Sequence, residues 1–307
     1  MESDQTILNQ GDPMPPLKPN DMQQSQTLCG SPERLRQVER VVNGIESTDG
    51  DGVRLTRIIG SDELSMLDPF LLFDAFESNE VEDYIGGFPS HPHRGFEAVT
   101  YLLAGRMRHK DSEGREGIIE PGGVQWITAG RGIIHSEMPE QENGLLHGFQ
   151  LWVNLPASDK MTAPAYQEFS ANKVTLEQHD NGMEIRVIAG KTNNGSLGPV
   201  VNNYVNPLYF DVLLPADQVF DQTIADDDNA FIYVIEGELA VGIQPNIIKK
   251  HQLATMGAGN AVHLQANENT RFIFAAAQPL NEPVSRGGPF VMNTKQEITQ
   301  AFKDFRI

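Results

Sequence analysis

The sequence predicts an all-β protein organised as two tandem modules. Three observations carry this. Short apolar runs, many alternating or β-branched, recur between Gly- and Pro-containing turns, the pattern of a barrel or sandwich. The block around Thr100-Tyr101-Leu102-Leu103-Ala104-Gly105-Arg106 is echoed by Ala230 to Val241. The length, 307 residues, suits two domains and is ample for a buried core.

Residues 1–35 are rich in Pro, Gln, Asn, Asp and Ser and read as a disordered, solvated leader. The single cysteine, Cys29, lies there; it reads as an incidental thiol and has no intramolecular disulfide partner. Folded sequence is expected from near Arg36, with strands over 38–42 and 53–59 around the turn Gly50-Asp51-Gly52. Residues 67–76, LDPFLLFDAF, read as a core strand. Asp68 and Asp74 within it could support metal ligands, though turn or cap roles are commoner. Val99 to Leu103 reads as a strand ended by Gly105, and His109 to Gly114 as a polar turn that leaves His109 facing solvent. Ile118-Ile119 and Trp126 to Thr128 are short strands on either side of the turn Pro121-Gly122-Gly123. In the strand 149–154, Gln150, Trp152 and Asn154 share a face that lines a cavity or points out. His147, just before it, reads as structural. Pro156 to Pro164 is an irregular crossover, and the first module is placed at 36–165.

The second module, 166–307, is expected to hold strands at 186–190 and 208–214. It also has a hairpin pattern in which 230–235 and 238–241 flank Glu236-Gly237, and a terminal helix near 296–302. Asp226-Asp227-Asp228 could hold a hard cation but reads more simply as a solvated turn.

The chemistry concentrates in residues 86–139. His91 and His93 form one i, i+2 pair, His135 and Glu137 another. On a strand this spacing puts both side chains on one face; on a helix it does not. If the two strands are neighbours, three imidazoles and a carboxylate converge, a donor set that suits Fe(II), Zn, Ni, Cu or Mn. A His-x-His pair alone is a weak signal, and a core or surface role is the common one for a single strand histidine. Two such pairs with flanking glycines outweigh a solvated polar cluster. Arg94, next to the first pair, could clamp an acidic substrate group, but an ion pair with Glu97 or Glu137 is the simpler reading. The second module has only His263 at the corresponding place, so no metal is expected there.

Net charge is -19 and the pI is near 4.7, which disfavours direct contact with nucleic acid. No apolar run reaches the ~18 to 20 residues of a membrane span, and the N-terminus lacks the features of a signal peptide. A cytoplasmic monomer is expected.

HPHRGFEAVTYLLAG, followed by QWITAGRGIIHSEMP, resembles the pirin family of bicupins. The resemblance extends over LDPFLLFDAF, LWVNLPASDKM and EPVSRGGPFVMNTKQEI, from about residue 36 to the end. It implies two tandem cupin (jelly-roll-like) barrels, the second degenerate, and a metal held by His91, His93, His135 and Glu137. Glu97 stands where the general cupin motif has a ligand, a role that the Glu of HSE takes over in pirins. Gly130, where cupins usually carry Pro, also looks pirin-like. The leader is longer than the family's, and the chain ends at Ile307 somewhat early for it. The resemblance further implies a quercetin 2,3-dioxygenase-type activity on a flavonol and O2, with Glu137 as ligand and base. The alternative it implies is a regulator, sensitive to the iron's redox state, that binds a transcription factor or metabolic enzyme. A purely structural metal ranks last, because structural zinc sites are typically thiolate-rich.

Overall fold

The computed structural model describes residues 34–306; the leader up to residue 33, with Cys29, and Ile307 lie outside the described residues. The all-β expectation holds: two barrels are followed by one helix. In the first barrel a seven-stranded sheet packs on a four-stranded one. The larger sheet has Phe96–Ala104 near its centre, between Val124–Thr128 and Leu146–Asn154. The smaller sheet runs Phe88–His93, Ile133–Pro139, Met107–Asp111, Glu116–Ile119. The second barrel repeats this plan, its smaller sheet running Val219–Thr223, Ala261–Ala266, Glu238–Val241, Asn246–Lys249.

The two barrels exchange edge strands. Val38–Asn43, which precedes the first barrel in sequence, pairs antiparallel with Gln252–Met256 of the second. Its counterpart Ala165–Phe169 pairs with Val124–Thr128 of the first. The hairpin expected at Gly237 does not form. Asn229–Glu236 pairs with Gln252–Met256 and Thr270–Ala277 in the larger sheet, while Glu238–Val241 pairs with Asn246–Lys249 and Ala261–Ala266 in the smaller one. Gly237, at φ 76°, and Gly105, at φ 83°, therefore turn the chain from one sheet to the other. Two alternating runs joined by Glu-Gly look the same in sequence whether they pair or part.

Alternation in Phe96–Ala104 assigns the two faces of the larger sheet. Phe96, Ala98 and Thr100 face their own barrel; Glu97, Val99 and Tyr101 face the seam between barrels. Phe73, Phe149, Phe231 and Tyr233 pack edge-on or stacked in that seam, with ring centroids 5.3–5.8 Å apart. Across it, the Tyr101 hydroxyl donates to Asp211 Oδ2 at 2.6 Å, and Arg271 clamps the same carboxylate at 2.9 and 2.7 Å.

After the second barrel the chain returns to the first. Arg94 and Phe290 form a parallel bridge, and Val291 N donates to the Arg94 carbonyl at 3.0 Å. A Cβ on Gly95 would lie 1.9 Å from the Val291 carbonyl oxygen, so only glycine admits this contact. Lys160, 1% exposed, locks the junction by donating to the carbonyls of Gly95 and Val291 and to Asn154 Oδ1, at 2.7, 3.1 and 2.7 Å. The helix expected at 296–302 spans Lys295–Phe305, started by a reciprocal Thr294–Glu297 capping box.

Glu97 is sealed in the seam, where it accepts hydrogen bonds from Thr128 and Asn202. Burial pushes its carboxyl up to about 7, the hydrogen bonds opposing. Its proton is thus held more tightly folded than unfolded. Its contribution to stability is full below about pH 4.5 and is lost as pH rises through about 7, a swing of about 3 kcal/mol at most. Urea unfolding across pH 4.5–8 is therefore expected to be less steeply pH-dependent in Glu97→Gln than in the wild type. Identical slopes would show that this carboxyl does not titrate in the window.

Candidate metal centre

The strands that carry the two ligand pairs are neighbours. Phe88–His93 pairs antiparallel with Ile133–Pro139, and His135 stands directly opposite His91. His91, His93 and His135 form a group whose ligand atoms lie within 4.8 Å of one another, the only such group among the described residues. Ring centroids are 4.4–4.9 Å apart.

Hydrogen bonds fix which nitrogens face inward. His91 Nδ1 is 2.8 Å from the Pro89 carbonyl, and His93 Nδ1 is 3.3 Å from that of Pro289. A carbonyl only accepts, so each Nδ1 carries the proton and each Nε2 presents a lone pair. Those two Nε2 atoms face each other at 3.0 Å. Two lone pairs at that distance repel unless a cation lies between them. With metal–nitrogen bonds of about 2.0–2.1 Å, two ligands at right angles stand about 2.9 Å apart. Both ring nitrogens of His135, 2% exposed, lack any hydrogen-bond partner. An imidazole buried with neither nitrogen satisfied is costly as a core residue and reasonable as a ligand. Burial first, then His91, pushes His93 down to about 3; burial and the neighbouring imidazoles hold His135 well below the ordinary value. Both rings are neutral, as metal binding requires. The donor set fits a divalent transition metal.

Glu137 lies on the same buried face but stands outside the three-histidine group. A register shift separates it from His135 in the pairing with Phe88–His93. Its Oε1 accepts the Thr100 hydroxyl at 2.6 Å. Thr100 Oγ1 is also 3.2 Å from the Gln150 side chain, so one amide hydroxyl network joins Glu137 to the cavity wall.

His109 departs from the sequence expectation. It lies on the strand Met107–Asp111, is fully buried, and stands opposite Glu137 with its ring 5.4 Å from that of His135. The turn begins only after Asp111, and the shared parity of Met107 and His109 was the signal that both point inward. Arg94 pairs with neither Glu97 nor Glu137. It donates to Asp304 at 2.7 Å and to the Arg131 carbonyl at 2.6 Å, and lies over Phe305, so it anchors the C-terminal helix. Asp74 is buried against Arg57, which donates to both its oxygens, and burial holds its carboxyl up to about 6. Asp68 Oδ2 accepts from Asn281 N. Asp226 pairs with Arg34, and the carbonyls of the 225–228 turn accept from the buried Arg36. His147 opens onto a separate 270 Å³ cleft beside His251 and Glu77.

His91, His93 and Glu137 line a cavity of about 730 Å³. Gln150, Trp152, Phe76 and Phe88 line it, with Arg286 and Pro289 from the returning C-terminal segment. Trp152 stacks on Phe96 at 4.2 Å and meets the His93 ring edge-on at 5.1 Å. Gln150 and Trp152 thus take the cavity-lining alternative, while Asn154 is buried against Lys160. The C-terminal lining residues were not legible as such from their sequence position. At the matching place in the second barrel Phe220 stands opposite Leu264 and the buried Gln222 opposite Val262, and His263 turns outward to Asp221 at 2.7 Å.

Residues 52–153 match the family model described as Pirin, and residues 209–307 that described as Pirin C-terminal cupin domain. A pirin-like protein of Caulobacter vibrioides is 50% identical, the match covering 89% of this chain and 98% of that protein. Pirin of Mus musculus is 45% identical over 85% of this chain and 89% of its own length. A crystal structure titled quercetin 2,3-dioxygenase from Acinetobacter baumannii superposes with a TM-score of 0.82 at 34% identity, covering 89% of this chain and 97% of that one. With both barrels matched and the relatives covered nearly end to end, the chain belongs to the pirin family.

Proposed function

We propose that the protein is an Fe(II)-dependent dioxygenase acting on a flavonol such as quercetin, with His91, His93, His135 and Glu137 holding the metal and Glu137 also serving as base. The observation that carries this is the cavity. Its 730 Å³ falls within the range of about 300–1,000 Å³ typical of small-molecule sites, and flat aromatic walls lead to the histidines. The likeness to a structure titled quercetin 2,3-dioxygenase supports the substrate class.

A bound Fe(II) would supply Lewis acidity, lowering the pKa of a substrate hydroxyl, and redox chemistry with O2. The chain's own residues do the rest. The Nδ1–H bonds to the carbonyls of Pro89 and Pro289 fix the orientation of His91 and His93. Trp152, braced by Phe96, offers a flat face to an aromatic ring. Thr100 holds one oxygen of Glu137, and the other has no protein donor among the described residues; it can hold the proton of the substrate hydroxyl. In the overall reaction both atoms of O2 enter the ring-opened ester, and the excised carbon leaves as CO.

The test is O2 consumption by Fe(II)-loaded protein with quercetin. Turnover is expected in the wild type. His91→Ala is expected to fall to background with loss of iron, and Glu137→Gln to drop by about 100-fold or more. Absence of turnover in wild-type protein shown to hold iron would overturn the dioxygenase reading and favour a regulator that binds a transcription factor or metabolic enzyme.

A further inference from the structure

Two arginines line the metal cavity, Arg57 and Arg286, and their situations differ. Arg57 is committed to two carboxylates: it donates to both oxygens of Asp74 and to Asp49 at 2.9 Å. Arg286 makes one hydrogen bond among the described residues, from Nη1 to the Leu71 carbonyl at 2.9 Å. A guanidinium has five N–H donors in a planar fork, so most of its capacity is free. That single bond holds the group in place, with its central carbon 5.8 Å from the centre of the Trp152 ring. Trp152 in turn meets His93 at 5.1 Å. His93 and Arg286 thus flank the same indole ring, and a planar ligand that bridges them would meet the histidines with one edge and Arg286 with another.

We infer that Arg286 is a specificity-determining residue that pairs with an anionic oxygen, phenolate or carboxylate, at the end of the substrate remote from His93. The favoured ligands are therefore planar aromatics that carry an acid, a class this inference narrows from the dioxygenase reading on which it rests. The chain as a whole carries -19, and Asp49, Asp51, Asp74 and Glu137 also line the cavity. An anionic ligand would be repelled there without a cation placed to receive it. A charge-assisted bond to a fork of donors is the strongest means available to a side chain. Local pattern does not mark Arg286 for this role, because it reaches the cavity only through the return of the C-terminal segment.

The test compares two ligands of the same shape, 6-hydroxy-2-naphthoate, whose hydroxyl and carboxylate lie at opposite ends, and its neutral amide, by quenching of tryptophan fluorescence in metal-loaded protein. The wild type is expected to bind the acid at least about tenfold more tightly than the amide. In Arg286→Gln, with metal content and Tm unchanged, that ratio is expected to fall towards one, and Arg286→Lys to retain part of it. A ratio unchanged in Arg286→Gln would place anion recognition elsewhere, at the metal for example, and overturn the inference. So would a wild type that does not distinguish acid from amide. Binding does not require turnover, so an Arg286-dependent preference in protein that fails to consume O2 with quercetin would leave this inference standing and remove only the dioxygenase reading.

Discussion

Everything at the site depends on the antiparallel pairing that sets His135 opposite His91. Side chains directly opposite in such a pair lie within about 4.5–5.5 Å at Cβ, so the register alone brings two imidazoles together. The period of two then adds His93 and Glu137 on the same faces. A slip of one residue in either strand would turn that strand's pair outward. The cost of this arrangement is local: neutral rings desolvated in a barrel, two lone pairs 3.0 Å apart, and an imidazole with no partner. The second barrel has the same strand plan and avoids this cost by filling its interior with Phe220, Phe272, Phe274 and Leu264.

The second barrel still contributes to the site, through the chain that leaves it. Pro289, 196 residues after His93, supplies the carbonyl that sets the His93 tautomer, and Arg286 and Trp152 shape the cavity mouth together. That segment is held by groups whose removal would leave buried polar atoms unpaired. Lys160 joins three acceptors, and burial pushes its ammonium down to about 8, against the opposing pull of Glu282 and Glu297. Arg94 follows His93 directly and binds Asp304 of the terminal helix, so that helix is tied to the strand that carries His91 and His93. The seam between barrels has the same character, with Tyr101 and Arg271 both donating to the buried Asp211 amid aromatic packing.

Local pattern made much of this legible in sequence. The strand at Leu208–Leu214, the ends of strands at glycines, and the shared face of His91 and His93 follow from alternation and turn chemistry alone. What failed was non-local or lay at a boundary. The polar Lys110 and Asp111 make His109 read as part of a turn, yet the strand runs through Asp111 before turning. The hairpin at Gly237 failed because a strand pattern does not say which sheet a strand joins. Arg94 sought a carboxylate nearby in sequence and found one 210 residues away. Thr100 and Arg286 drew no notice for the same reason: each acts through a partner brought to it by the fold.

The central claim is that His91, His93 and His135 make one metal site and that the second barrel makes none. The most direct measurement is metal stoichiometry and affinity by Ni(II) titration and elemental analysis, on the wild type and on His135→Ala with its fold checked by circular dichroism. About one metal per chain is expected for the wild type, and a His135→Ala variant that folds but loses that metal, since the remaining imidazoles lack the donor across the strand pair. Undiminished affinity and stoichiometry in folded His135→Ala, or two metals per wild-type chain, would contradict the account.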